Sequence, residues 1–419
     1  MRTKLLPTLM VGVFLGAGCG TSSDEPGVPM GGSGSGGSAT AGSPTGGSST
    51  SGSASGGSAS GGTAAGGAGG TAGGGGAAAG AMSGGTAAGG SAGGGGGAGG
   101  SSGGAAGAGG NGGGVVRSKG CGKVDGKTTM TMGGMSVANA LPTSTKLQIM
   151  SGGMSRDYII DIPADYDPSK AYRLIFSWHQ AYGSANGNAN GQHPAGDGPN
   201  FDAKNYAYFG LHREATAANQ PAIFVAPAGI GDFPWDFNRD SALFDSLLTR
   251  VNENLCVDES RVFTTGFSFG AMMSYSLSIT RSAKLRGAVT MAPANYNLPG
   301  QPSPMDGAPP IAYFGITGMS DGTCPWVNNE AQKRGGKYCA LAHAEENGCT
   351  IPANIQTAMA GSKAHVCYDF QGCKAGYPVK VCTFDGQHTP SSINDGSSNA
   401  DDGLKAFVPP LAWKFISQL

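Results

Sequence analysis

From Pro26 to Val116 the chain carries no Asp, Glu, Lys or Arg, and little except Gly, Ala, Ser and Thr. Such a segment cannot bury enough apolar surface to offset the entropy of ordering it, so residues 19–114 read as a disordered low-complexity linker. Charge is scarce overall, at 13% of residues, and the net charge is −1. No basic block occurs in the remainder, which excludes a phosphate-backbone or polybasic membrane surface and leaves nucleic acid out as a partner. The one N-terminal apolar run ends by Leu15, too short to span a bilayer. There is no C-x-x-C pair and no short His/Cys knuckle, so zinc is not expected. The acidic residues Asp395, Asp401 and Asp402 lack calcium-ligand spacing, so no metal and no cofactor is expected.

The N-terminus begins Met1-Arg2-Thr3-Lys4, continues apolar through Leu15, and reaches Gly16-Ala17-Gly18 ahead of Cys19. That is the layout of an export signal over residues 1–18. Ending at a cysteine, it resembles a bacterial lipoprotein signal, with the favoured aliphatic residue displaced by one to Leu15. Cleavage before Cys19 would leave that residue to carry a lipid, the only membrane attachment expected, and the linker would act as a leash spanning about 50 Å. An ordinary cut would instead release a secreted protein. Setting Cys19 aside, eight of the nine cysteines remain, at 121, 256, 324, 339, 349, 367, 373 and 382. An even count in an exported domain points to disulfides.

Residues 115–419 have the size of one α/β enzyme domain, expected to be monomeric. β-branched and aromatic runs at Tyr158–Ile162, Leu174–Trp178, Ala222–Ala226, Val262–Thr265, Ala288–Met291, Ile311–Ile316 and Val379–Phe384 read as strands. They alternate with helical stripes at Asp240–Leu255, where Asp240 would be the N-cap, at Phe269–Thr280 and at Leu411–Leu419. The alternation predicts a mainly parallel sheet flanked by helices.

The pattern G-x-S-x-G recurs along the chain, including inside the low-complexity tract at Gly89–Gly93 and Gly99–Gly103. Only Gly266-Phe267-Ser268-Phe269-Gly270 follows a strand and opens a helix, the setting of a nucleophile elbow. A serine hydroxyl needs a base, and the base needs a carboxylate to orient it. In the chain order serine, acid, histidine, the later histidines are His343, His365 and His388. His388, on the loop after the last strand, is the expected base. His343 lies in a charged run and reads as a surface residue, and His365 begins a strand. Asp321, in the first loop beyond Ile311–Ile316, is the expected acid; Asp385 lies too near His388 in sequence. The backbone N–H groups of Phe269 and of Gln180, in the loop His179-Gln180-Ala181-Tyr182-Gly183, are the expected oxyanion donors.

Together with Tyr172–Gln180, Asn254–Asp258, Gly372–Pro378 and Asp385–Pro390, these residues resemble the feruloyl esterase and polyhydroxybutyrate depolymerase-like branch of the α/β-hydrolases over nearly all of residues 120–419. The resemblance implies an α/β-hydrolase fold with Ser268, Asp321 and His388 as a triad. It also implies disulfides Cys121–Cys256 and Cys349–Cys373; by default the others pair as Cys324–Cys339 and Cys367–Cys382. The chain departs from the pattern at His179-Gln180 and at Cys324-Pro325-Trp326. The expected function is a secreted or surface-tethered serine esterase acting on ester-decorated plant-wall polysaccharide. Alternatives are an acetyl xylan esterase, a short-chain polyester depolymerase, or a catalytically silent surface-binding scaffold. Trp178, Trp235 and Trp326 are candidate stacking surfaces for the substrate.

Overall fold

The computed structural model describes residues 114–132, 134, 141, 144–191, 206–303, 307–390, 392 and 405–419. The signal, Cys19 and nearly all of the linker lie outside these residues, as do Asp395, Asp401 and Asp402. The described strands are β1 (Ser144–Ser151), β2 (Met154–Asp161), β3 (Tyr172–Trp178), β4 (Ala222–Pro227), β5 (Val257–Phe267), β6 (Gly287–Met291), β7 (Ala312–Gly318), β8 (His365–Asp369) and β9 (Val379–Phe384). They form one sheet in the order β1-β2-β4-β3-β5-β6-β7-β9-β8. From β4 to β9 the neighbours are parallel, while β1, β2 and β8 pair antiparallel. Every residue of β4, β6 and β7 is buried, as strands covered on both faces require.

Helices α1 (Gly126–Thr131), α2 (Ala185–Asn190), α3 (Leu211–Ala217), α4 (Phe237–Asn254), α5 (Phe269–Thr280), α6 (Gly336–Glu346) and α7 (Val408–Ser417) accompany the sheet. α4 buries Leu243, Phe244, Leu247, Leu248 and Val251 along one stripe, which holds it against the sheet. It begins earlier than the sequence suggests. Asp236 is the N-cap, accepting the Asn238 N–H at 2.9 Å, and Asp240 lies buried in the first turn. Asp240 pairs with buried Arg156 and with Arg239 and also accepts the N–H of the N-cap Asp236 at 2.8 Å, so its carboxylate ties the helix start to an ion-pair cluster from inside the first turn.

Among the described residues three disulfides form: Cys121–Cys256, Cys349–Cys373 and Cys367–Cys382. The expected Cys324–Cys339 bond does not. Cys339 lies on α6 with its thiol against Tyr313 of β7, and burial pushes that thiol well above its ordinary pKa. Cys324 belongs to the loop after β7, where its backbone N–H is taken by Asp321.

The chain adds β4 on one side of β3 and then crosses back to lay β5 on the other. Strand order reverses there, and the carboxyl ends of the strands at such a point are where α/β sheets bind ligands. With β5 feeding the elbow into α5, this is an α/β-hydrolase fold.

Candidate active site

Ser268 joins β5 to α5 at φ 54° and ψ −119°, a conformation that residues with a Cβ rarely adopt. Two features hold it there. Its N–H donates to the Met291 carbonyl at 3.0 Å, and the two flanking glycines let backbone meet backbone. A Cβ on Gly266 would lie 2.4 Å from the Gly270 oxygen, and one on Gly270 would lie 2.0 Å from the Trp178 oxygen and 2.8 Å from that of His179. The G-x-S-x-G spacing is thus a packing requirement that presses the start of α5 onto the end of β3. Gly270→Ala should lower stability by about 2 kcal/mol or more, since rigid backbone must give way, and should depress turnover with it. Thermal melting and an ester assay on the purified variant check this.

Asp321 and His388 are brought to Ser268 by a strapped pair of loops. Met319 N–H donates to Phe384 O at 2.9 Å and Ser320 N–H to Gly386 O at 3.0 Å, so the segments after β7 and β9 leave the sheet together. Gly318 permits the contact, because a Cβ there would meet the Gln387 oxygen at 2.4 Å. One Asp321 oxygen, Oδ1, accepts the N–H groups of Thr323 and Cys324, each at 2.8 Å. The other, Oδ2, accepts from His388 Nδ1 at 2.8 Å, and His388 Nε2 lies 2.9 Å from Ser268 Oγ. The carboxylate is fully buried, the imidazole is 23% exposed, and the Phe267 ring lies beside the imidazole at 4.6 Å. This line of three is what a serine nucleophile requires: a base able to take the hydroxyl proton and an acid fixing its tautomer. Asp385 is turned elsewhere, its two oxygens accepting N–H groups of Gly361 and Lys363.

The loop carrying Gln180 is fixed by His179. Gly229 N–H donates to His179 Nε2 at 3.0 Å, which makes Nδ1 the protonated nitrogen, donating to Gln180 O at 2.9 Å. Burial pushes the pKa of His179 down to about 4, so the ring stays neutral in this role. Trp235 Nε1–H donates to the His179 carbonyl at 2.7 Å, and its ring packs edge-on against Trp178 at 4.9 Å. These contacts correct the expectation of tryptophan stacking surfaces. Trp178 and Trp235 are 0% and 1% exposed, and their rings brace the sheet end and the loop instead of meeting a substrate. Trp326 is partly buried against the core.

His343 also departs from expectation. It is fully buried between α5, α6 and β7, stacked on Tyr313 at 4.4 Å, with Nε2 2.8 Å from Ser278 Oγ. Its charged run placed it on a surface, but the 3.6-residue turn of α6 puts Cys339, Ala340, His343 and Ala344 on the inner face. Burial pushes its pKa down to about 3. Both buried imidazoles are less basic folded than unfolded, so their contribution is complete above about pH 6.5. Below that, the unfolded chain takes up protons that the folded one refuses, and stability falls until about pH 4 for His179 and 3 for His343. Urea midpoints should therefore drop between pH 6.5 and 4, and His343→Gln should flatten the drop.

His365 opens β8 on the sheet edge, exposed, with its ring stacked on Phe407 at 3.9 Å. A cavity of about 850 Å³ is lined by residues that include Asn295, Tyr296, Arg334 and Tyr338; none of Ser268, Asp321 and His388 lines it. A feature the sequence did not single out is an aromatic cluster beside Phe269, made of Phe233 and Tyr182. Both belong to irregular loops, where no periodicity marks a side chain as significant.

No family model matches the chain. It is 34% identical over 264 residues to a probable feruloyl esterase C of Aspergillus clavatus, covering 62% of this chain and 83% of that one. To a probable feruloyl esterase C of Aspergillus terreus it is 34% identical over 289 residues, covering 67% and 96%. A solved ferulic acid esterase from Anaeromyces mucronatus superposes with a TM-score of 0.37 at 14% identity, covering 51% of this chain and 87% of that one. The fold assignment rests on the strand order and the elbow.

Proposed function

The chain belongs to the feruloyl esterase family of carboxylic ester hydrolases, and from that membership we propose that it releases hydroxycinnamic acids from plant-wall polysaccharide through Ser268, His388 and Asp321. The observation that carries the catalytic assignment is the continuous hydrogen-bonded line from Asp321 through His388 to a serine held in a strained elbow.

In this reading Ser268 Oγ attacks the ester carbonyl while His388 Nε2 takes its proton, and Asp321 stabilises the resulting imidazolium. The negative oxygen of the tetrahedral intermediate is received by the N–H groups of Phe269 and Gln180. Collapse breaks the bond to the alcohol, which leaves with the proton held by His388. A water then attacks the acyl-Ser268, giving its proton to His388, and the free acid departs as the serine is reprotonated. Three disulfides suit an oxidising compartment, so the proposal extends to an exported enzyme, released or held by a lipidated Cys19 through the residues up to 114.

Hydrolysis of methyl ferulate, set beside release of soluble product from a polyhydroxybutyrate film, tests the substrate class. Turnover of the ferulate with no erosion of the film is the expected result. Film erosion without ferulate hydrolysis would turn the reading to a polyester depolymerase.

A further inference from the structure

Tyr182 and Phe233 are each 54% exposed, and Ile230, three residues before Phe233, is 45% exposed. Isolated exposed apolar side chains need no explanation, but these three are gathered by two loops tied together. Tyr182 N–H donates to Asp232 O at 2.7 Å, and Gly229 N–H donates to His179 Nε2 at 3.0 Å, at the base of both loops. The second loop closes on itself, Ile230 N–H donating to Pro234 O at 3.1 Å. Tyr182 is held at φ 58°, a left-handed conformation that costs a residue with a side chain, so the loop keeps a bulky aromatic where glycine would fit with less strain.

The rings form a ladder that begins at the nucleophile. Phe269 follows Ser268 directly and is 7% exposed. The Phe233 ring packs edge-on against Phe269 at 5.8 Å, and the Tyr182 ring packs edge-on against Phe233 at 5.5 Å. The residue expected to give one oxyanion N–H therefore also carries the inner rung of an aromatic surface whose outer rungs face solvent. Aromatic rings prefer offset or edge contacts with other rings, and half-covered rings beside a nucleophile offer such contacts to a flat acyl group.

Resting on the esterase reading above, the geometry points to Phe233 and Tyr182 as the wall that recognises an aromatic acyl group, with Ile230 at its border; they set acyl specificity and take no part in the proton transfers. An acyl group of four carbons ends before it can cover these rings, whereas a phenylpropenoyl group carries its ring several bonds beyond the carbonyl.

The test is kcat/KM for methyl ferulate and for methyl butyrate, measured on the wild type, Phe233→Ala, Tyr182→Ala, the double variant and Tyr182→Phe. The expected result is a ferulate-to-butyrate ratio lowered by about ten- to a hundredfold in Phe233→Ala and further in the double variant, in line with the loss of aromatic stacking and buried area. Tyr182→Phe should keep the ratio near that of the wild type. Melting temperatures close to wild type are expected, because the removed rings are half exposed. Equal losses on the two esters, with the wild type active on ferulate, would overturn the wall and leave the esterase reading standing. A wild type that cleaves butyrate but not ferulate would overturn the wall and the aromatic substrate class together.

Discussion

Ser268→Ala should reduce kcat for ester hydrolysis by about 10⁶-fold while leaving the fold in place, because a triad stripped of its nucleophile retains only binding and oxyanion stabilisation. The backbone bond from residue 268 to Met291 and the contacts of Gly266 and Gly270 do not depend on the hydroxyl. Melting temperature should therefore move little. Ser268→Gly should be just as inactive and yet melt higher than Ser268→Ala, since glycine adopts φ 54° without the strain that a Cβ imposes. A Ser268→Ala protein keeping more than about a hundredth of wild-type turnover would remove this residue from the chemistry.

Asp321→Asn should lower kcat by about 10⁴-fold with little change in substrate affinity or stability. The amide oxygen can still receive the N–H groups of Thr323 and Cys324, so the loop keeps its shape. The amide nitrogen replaces the oxygen that accepts from His388 Nδ1, and this pairs only with the wrong imidazole tautomer. Asp385→Asn is the informative contrast. That carboxylate binds two backbone N–H groups of the 361–363 segment, so its loss should appear first in melting temperature and only modestly in rate. Steady-state kinetics and melting curves on both variants separate the two roles.

What the sequence disclosed follows from which physical rules act locally. Strands buried in the sheet are continuous apolar runs whichever way they pair, so all seven expected strands lie at the positions of β2 to β7 and β9. α5 matches its expected span because the elbow fixes its first residue. β1 is absent from the expected strands although Leu147 and Ile149 alternate with polar residues, whereas β8 opens at His365, where the sequence places the start of a strand. The residues of the Ser268 line stood out because each follows the carboxyl end of a strand, a position that chain order reveals. The expectations for His343, Trp178 and Trp235 depart from the structure for a shared reason: charge nearby, or an aromatic ring at a strand end or in a loop, says nothing about which way a side chain turns. Facing is decided by partners distant in sequence, such as Tyr313 for His343 and Thr264, which accepts from Trp178 Nε1 at 3.1 Å. Three of the four expected disulfides form, and the fourth, Cys324–Cys339, does not for the same reason, since Cys339 is committed to the sheet by the turn of α6 on which it lies.

The central claim, that Ser268 is the nucleophile of a serine esterase, is tested most directly by treating the enzyme with a fluorophosphonate and locating the adduct by peptide mass spectrometry. One adduct per chain is expected, on the peptide containing Ser268, formed in step with loss of methyl ferulate hydrolysis and absent from Ser268→Ala. Full activity with Ser268 unlabelled at saturating reagent, or inactivation with the adduct on another residue, would contradict it.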